Sequence, residues 1–201
     1  MKLFRIAVVI LSLLSLASCG QRVSVKAKVQ DAPAKSRIYV KQLDGASYKV
    51  LDSIKVRRNQ SFSYSVKVKK NQPEFFYFFY KDTKIASLLL DKRGKVTIQT
   101  DTLGHYTVSG SEASQELCEV ENSFALFISS LNSMLASSAS NADISRAYVA
   151  YYRDRVKYII AHPKSLTAIP VLYQQINEDS PVFAQPTDAL YFRNVCDSLK
   201  T

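Results

Sequence analysis

The chain has 201 residues and a formal net charge of +10, with 12 tyrosines, 10 phenylalanines and no tryptophan. This composition is that of a globular protein and excludes a disordered tail. Only five glycines occur, which argues against a glycine-rich phosphate-binding loop, and the sequence contains no dinucleotide-binding, paired-carboxylate or EF-hand motif.

The first predicted element is an export signal. A basic start precedes an apolar run from residue 6 to 16, and two small residues then precede Cys19. This order is typical of a cleaved signal peptide. The apolar run is shorter than the ~20 residues that a membrane-spanning helix needs. An ordinary signal peptide with a chance cysteine is the alternative.

The tetrapeptide Leu16-Ala17-Ser18-Cys19 resembles the lipobox of bacterial lipoproteins. The resemblance implies cleavage before Cys19, with acyl chains such as palmitate on its thiol and on the new amino group. No acidic tract follows Cys19, and in similar lipoproteins such a tract signals surface display. From the lipobox we expect a signal peptide at 1–18 and a lipidated amino terminus at 19–21. The chain would be exported and anchored to the outer membrane of a Gram-negative-type bacterium, facing the periplasm.

Residues 22–110 are predicted to form a basic, antiparallel β-sandwich of about eight short strands. Apolar and polar residues alternate most clearly at 23–29 and 62–68, and turn residues separate the weaker segments. From Cys19 to Gly110 there are 18 Lys/Arg against 7 Asp/Glu, and all five glycines lie in this part of the chain. The weaker predicted strands are 37–43, 48–56, 75–80, 85–90, 96–100 and 106–108.

Residues 111–201 are predicted to form a lobe of about four helices, so the expected fold class is α+β. The lobe contains no glycine and has 7 Lys/Arg against 10 Asp/Glu, and its apolar residues recur with helical spacing. Ser109 and Glu112 match a weak capping box. The predicted helices are 117–135, 144–160 ending before Pro163, a short one from about 167, and a fourth from about 187. The residues of the fourth that are predicted to face inward are Phe192, Val195, Cys196 and Leu199.

Short motifs follow one another in a characteristic order: Asp52-Ser53, Asn59-Gln60-Ser61-Phe62, Leu88-Leu89-Leu90-Asp91, Val108-Ser109-Gly110-Ser111, His162-Pro163 and Asp197-Ser198-Leu199. This order is similar to domain of unknown function 4369, a β-rich module of secreted bacterial lipoproteins. In many relatives a thioredoxin-like domain with a Cys-x-x-Cys motif comes next, whereas this chain stops at Thr201, so redox activity is not carried over. The module has no known catalytic residues to transfer.

The remaining candidates for chemistry are two cysteines and two histidines. Cys118 and Cys196 can form a structural disulfide in an oxidising compartment. The favoured alternative is a small buried residue at Cys196 and a thiol on the flank of a helix at Cys118. His105 and His162 lack the neighbours that catalysis or metal binding requires. We expect structural roles for both histidines, with no metal, no cofactor and no enzymatic activity.

Two surfaces are candidates for binding. Residues 75–80 are predicted to form a central strand with one face in the sandwich and the other under the helices, or else an exposed aromatic platform. The basic residues predict either a solvated strand face or a contact with an anionic lipid, a glycan or an acidic protein; export argues against nucleic acid. The residues of this predicted contact are Lys26, Lys28, Arg57, Arg58, Lys67 and Lys69.

The sequence therefore predicts a non-catalytic, membrane-anchored envelope lipoprotein that binds a partner protein or an envelope polymer. The alternative is an accessory module of a periplasmic thioredoxin-like thiol-disulfide oxidoreductase system, or the truncated front part of such an enzyme.

Overall fold

The computed structural model describes residues 21–44, 47–69 and 72–200. The predicted signal peptide at 1–18 and the predicted lipidation site Cys19 lie outside the described residues. The chain divides into two compact units after Ser114, whereas the sequence predicted the division after Gly110. Within the described ranges, none of the helices combines the length and the apolar character that a membrane span requires.

The described part of the first unit contains eight strands in two sheets. Sheet 1 has the strand order β4-β1-β7-β8, and sheet 2 has the order β3-β2-β5-β6. Neighbouring strands are antiparallel, except that β1 and β7 run parallel. The strands are β1 (Gln21–Gln30), β2 (Arg37–Asp44), β3 (Ser47–Lys55), β4 (Ser61–Val68), β5 (Glu74–Tyr80), β6 (Thr83–Leu90), β7 (Gly94–Asp101) and β8 (Tyr106–Ser109).

The two sheets pack against each other through their apolar faces. On β1, every second residue from Val23 to Val29 is buried, because alternation along a strand directs these side chains to one face. The ring of Phe62 in β4 stacks on that of Phe78 in β5, with centroids 5.7 Å apart. Burial of each such large side chain contributes about 1.5–3 kcal/mol, so this interior is the main source of stability for the sandwich.

The second unit is helical, and α1 begins just before it. The predicted α+β class, with strands first and helices after them, is confirmed. A short hairpin, β9–β10, was not predicted. The elements are α1 (Glu112–Ala136), α2 (Asn141–Ala161), α3 (Ala168–Leu172), β9 (Gln175–Asn177), β10 (Ser180–Pro181), a 3-10 helix (Pro186–Asp188) and α4 (Ala189–Leu199).

Aromatic stacking organises the core of the second unit. The rings of Phe127 in α1 and Tyr151 in α2 are parallel, with centroids 4.0 Å apart. Ser140 caps α2 by accepting a hydrogen bond from the N–H of Asp143 at 3.2 Å. The buried residues of this core are Val120, Phe127, Leu131, Tyr151, Ile159, Ala168, Val171, Leu172, Val182, Phe183 and Val195.

Two local predictions in this region are wrong. Ser109 does not cap α1, because it belongs to β8; instead Ser111 accepts a hydrogen bond from the N–H of Ser114 at 3.3 Å. Cys196 does not face inward on α4: it is exposed, whereas the preceding Val195 is buried. Phe192, Val195 and Leu199 lie on the inward side of α4 as predicted, so Cys196 is the one residue of the predicted inward set that is misplaced.

Candidate binding surface

The outer face of sheet 1 carries a row of cations. On β1, Arg22, Lys26 and Lys28 are exposed and alternate with the buried core residues. The antiparallel register places Lys67 of β4 directly opposite Arg22. Because directly opposed residues of a sheet share a face, these four cations lie on one surface.

The parallel neighbour β7 adds a fifth cation to this surface. Lys95 lies opposite Ser24 of β1 and is exposed. Between the cations the face carries small hydroxyl side chains, which can donate or accept hydrogen bonds. These are Ser24, Ser61, Ser63, Ser65, Thr97, Thr107 and Ser109.

Arg57 reaches the same surface from the turn between β3 and β4. Its Nη1 donates a hydrogen bond to the Oγ of Ser63 at 3.2 Å, and Ser63 lies opposite Lys26 in the sheet. A tight turn presents this side chain: the N–H of Arg57 bonds to the carbonyl of Ser61, and the N–H of Gln60 bonds to the carbonyl of Arg57. We call the six residues together the basic face: Arg22, Lys26, Lys28, Arg57, Lys67 and Lys95.

Among the described residues, no carboxylate lies in an ion pair with the basic face. In the part of the chain that the structure describes, none of its six side chains forms an ion pair. An acidic residue on the same face of sheet 1 is Asp101, which lies opposite Gln30 at the far end of β1. Its Oδ2 lies 2.7 Å from the Nδ1 of His105. The face therefore presents uncompensated positive charge to solvent.

The carboxylate of Asp101 is hydrogen-bonded within the loop between β7 and β8. Its Oδ1 accepts hydrogen bonds from the backbone N–H groups of Leu103, Gly104 and His105. Burial raises the pKa of Asp101, but the hydrogen bonds from the His105 side chain and from these N–H groups outweigh it, so the pKa is lowered. The carboxylate thus stays charged and stabilises the loop between β7 and β8.

Four of the six predicted basic residues belong to the basic face, and two do not. Lys26, Lys28 and Lys67 share the face, and Arg57 joins it through Ser63. Lys69 is exposed just after β4, in an isolated bridge to Gln72. Arg58 is exposed in the turn and, within the described residues, has no hydrogen bond to the face.

Sequence reasoning missed Arg22 and Lys95. The alternation that marks Lys26 and Lys28 also includes Arg22, so the signal was present in β1. Lys95 carries no comparable signal, because its position depends on the parallel pairing of β1 with β7. Residues more than 60 positions apart in the sequence come together there, and no local pattern specifies that pairing.

The aromatic segment of β5 divides between two faces. Phe76 and Phe78 are buried in the sandwich, as predicted. On the other face, Tyr48 of the edge strand β3 packs against Tyr77 and Phe79, with both pairs of ring centroids 5.1 Å apart. This second face of β5 therefore packs on its own sheet.

A polar cluster in the second unit surrounds Glu116 of α1. Its Oε1 accepts a hydrogen bond from the hydroxyl of Tyr158 at 2.6 Å, and its Oε2 accepts one from Ser165 at 2.9 Å. His162 Nδ1 lies 3.4 Å from Oε1. A hydrolytic triad needs a serine bonded to a histidine base. Here Ser165 donates to the carboxylate, and the cluster ties α1 to the end of α2.

Cys118 and Cys196 are both free thiols. Cys118 is buried and accepts a hydrogen bond from Asn122, at an Nδ2–Sγ distance of 3.4 Å, so it is not a thiol on the helix flank. The structure contains no disulfide between Cys118 and Cys196. Within the described ranges, no three His, Cys, Asp or Glu residues are grouped so that they could hold a metal ion.

Comparison with known proteins identifies one family. Residues 22–117 match the family model described as "Domain of unknown function (DUF4369)". No curated protein matches the chain. Among solved structures, the chain is similar to a crystal structure of (S)-allantoin synthase at 11% identity and a TM-score of 0.30. That similarity covers 51% of this chain and 48% of the synthase chain, and at this level it establishes no shared activity.

Proposed function

We propose that this chain, which belongs to the DUF4369 family through residues 22–117, is a non-catalytic, lipid-anchored envelope protein that lies with its basic face against anionic lipid headgroups. The observation that carries the proposal is the basic face itself. It presents six cations with no ion pair in the described part of the chain, and it begins only a few residues after Cys19.

Chain connectivity supports a role close to the membrane. Arg22 is the third residue after Cys19, and an extended chain spans at most about 3.6 Å per residue. An acylated Cys19 would hold the backbone of Arg22 within about 11 Å of the anchor, and that of Lys67, which lies about 5 Å away across the sheet, within about 16 Å. The turn before β7 lies at the same end of β1, because the N–H of Arg93 donates to the Oε1 of Gln21 at 2.9 Å.

The expected energy is sufficient to orient the first unit. A Lys or Arg close to an anionic membrane surface contributes about 1 kcal/mol, and the attraction decays over a Debye length of about 8 Å at physiological salt. Contact through all six cations requires the flat face of sheet 1 to lie along the membrane. An upright sheet would bring only the Arg22 end into this range, because Lys28 is six residues further along β1 and a strand rises about 3.3 Å per residue.

Lysine footprinting of the full chain in lipid vesicles tests the proposal. The chain is reconstituted in neutral phosphatidylcholine vesicles and in vesicles that also contain phosphatidylglycerol, and the acetylation rate of each lysine is measured. We expect acetylation of Lys26, Lys28, Lys67 and Lys95 to slow several-fold in the anionic vesicles and to recover in high salt. Lys55 and Lys81, which are exposed in the same unit but outside the basic face, are internal controls.

The pattern of protection distinguishes the outcomes. Protection of Lys67 and Lys95 without Lys28 would replace the flat orientation by an upright one. Equal acetylation rates in neutral and anionic vesicles would refute the lipid contact. Protection of the same lysines by a soluble acidic protein or glycan, with none from vesicles, would assign the face to a different partner.

A further inference from the structure

The two edges of sheet 2 differ in how they are protected. At the β6 edge, the Oγ of Ser114 bonds to both backbone groups of Leu89, and the Oγ1 of Thr100 donates to the carbonyl of Ile85 at 2.5 Å. These side chains occupy the edge that another strand would otherwise use. No described strand pairs with the outer side of β3, at the opposite edge. An open edge is a site where a further strand can add to a sheet.

The β3 edge also exposes large apolar side chains. Leu43 is 56% exposed, Tyr48 43%, Val50 52% and Leu51 40%. Leu43 and Tyr48 are directly opposed in the hairpin, so they form one continuous patch at the edge. Contiguous exposed apolar surface of this kind marks an interaction site more often than isolated apolar residues do.

A β-bulge makes β3 complementary to a second copy of itself. The register of β3 against β2 shifts between Val40 and Lys41, which leaves Leu51 as an extra residue. As a result Tyr48 and Ser53, five positions apart, lie on the same face: they oppose Leu43 and Tyr39 of β2. In a regular strand, residues five apart would lie on opposite faces.

The bulge also places two charged residues of β3, Lys49 and Asp52, on one face of the sheet. Lys49 opposes Gln42, and Asp52 opposes Val40, so Lys49 and Asp52 share the other face of the sheet. An antiparallel second β3 can therefore place Tyr48 against Ser53, Lys49 against Asp52, and Val50 against Leu51, with each pair on a common face. Two-fold symmetry repeats each of these contacts.

We propose that the chain forms a symmetric dimer by antiparallel pairing of β3 with the β3 of a second copy, in the register that opposes Lys49 to Asp52. The strand carries both signs of charge, which suits pairing with itself: a partner strand of one sign would meet a like charge at Lys49 or at Asp52. Asp52 Oδ1 accepts a hydrogen bond from the N–H of Ser53 at 2.7 Å. Its Oδ2 and the Lys49 ammonium have no hydrogen-bond partner among the described residues and are available to the second copy.

Charge reversal at the two positions tests this register. The full chain is kept in a nonionic detergent with micelles in large excess, and the dimer dissociation constant is measured by sedimentation equilibrium. We expect Lys49→Asp or Asp52→Lys each to raise the dissociation constant by roughly tenfold or more, because each creates two like-charge contacts. An equimolar mixture of the two single variants should form heterodimers about as tightly as the unchanged chain, since both contacts again have opposite signs.

Lys55→Asp is the matched control. It makes the same change of net charge on the same strand, but in the proposed register Lys55 opposes no charged residue. It should leave the dissociation constant unchanged or slightly lower, because it reduces the repulsion between two basic copies. Circular dichroism checks that each variant is folded, and the mixing experiment gives a second measurement that loss of folding cannot mimic.

Three results would overturn the proposal: a chain that is monomeric at all concentrations, equal effects of Lys49→Asp and Lys55→Asp, or a failure of the two reversed variants to associate with each other. Because β3 lies outside the basic face, these outcomes are independent of the proposed contact with lipid headgroups.

Discussion

The hydroxyl of Ser114 satisfies both backbone groups of Leu89 at the edge of β6: it accepts a hydrogen bond from the N–H at 3.1 Å and donates one to the carbonyl at 2.9 Å. Ser114 is fully buried, and Leu89 is almost so. A buried edge without such a partner would leave a donor and an acceptor unsatisfied. Ser114, in the first turn of α1, therefore occupies the backbone groups of Leu89 that a further strand would need in order to pair with β6.

Replacement of Ser114 by alanine should destabilise the first unit. Ser114→Ala removes both bonds without adding volume, and it leaves two buried backbone groups of Leu89 unpaired. We expect the free energy of unfolding to fall by about 2–3 kcal/mol, measured by urea denaturation. Ser65→Ala, at an exposed position on sheet 1, is the control and should change the free energy by no more than about 0.5 kcal/mol. Equal effects of the two substitutions would contradict this role of Ser114.

Gly110 occupies a position that no other residue can adopt without strain. Its φ is +91°, and a Cβ at this position would lie 2.1 Å from the carbonyl oxygen of Lys95. Gly110→Ala should therefore lower the free energy of unfolding by more than about 2 kcal/mol. Gly94→Ala is the matched control, since a Cβ at Gly94 meets nothing within 4 Å. Thermal denaturation of the two variants tests the difference, and a Gly110→Ala protein as stable as Gly94→Ala would refute it.

The sequence predicted the architecture better than the site. Alternation in β1 and β4 and helical spacing in α1 and α2 are local signals, so the α+β class could be predicted from them. The parallel pairing of β1 with β7 joins strands that are far apart in the sequence, so no local pattern predicts it, and Lys95 was missed for that reason. Cys196 was predicted to face inward together with Val195, but only Val195 is buried, because the spacing of apolar residues alone does not show how far the buried side of α4 extends.

The second unit should lose stability in acid through Glu116. Burial raises the pKa of Glu116, but hydrogen bonds from Tyr158, Ser165 and Thr167 and the charge of His162 outweigh it and lower the pKa below the ordinary value of 4.5. The unfolded chain therefore binds a proton more readily than the folded chain. The stabilisation is complete above about pH 5 and is lost as the pH falls below 4.5 through the folded value.

Glu116→Gln should flatten this pH dependence, because glutamine does not titrate. The free energy of unfolding of the variant, measured by urea denaturation between pH 3 and 7, should be lower than that of the unchanged chain near pH 7 and converge with it in acid. Glu119→Gln, at an exposed position on the same helix, is the control and should retain the original slope. Parallel curves for the unchanged chain and Glu116→Gln would show that Glu116 does not couple folding to protons.

The two cysteines of the second unit should differ in reactivity. Cys196 is exposed and Cys118 is buried. In the native protein, iodoacetamide should label Cys196 within minutes, whereas Cys118 should become labelled only when the unit unfolds, because a buried thiol is inaccessible to the reagent. Peptide mass spectrometry with and without urea measures both rates. Recovery of a peptide that joins Cys118 to Cys196 would instead support the disulfide that the sequence also allowed.

Acylation of Cys19 is the premise on which the contact of the basic face with a membrane depends. Cys19→Ser removes the thiol that the lipid would occupy but leaves the basic face intact. Electrostatic attraction alone falls steeply with salt, whereas burial of acyl chains does not. We therefore expect the unchanged chain to stay in the membrane fraction at 1 M salt, and Cys19→Ser to be released from it. Cys196→Ser, the control for loss of a thiol, should fractionate as the unchanged chain does. Membrane retention of Cys19→Ser in high salt would show that something other than a lipid on Cys19 holds the protein. The anchor would then not be next to Arg22 and Lys67, and the proposed orientation would no longer follow.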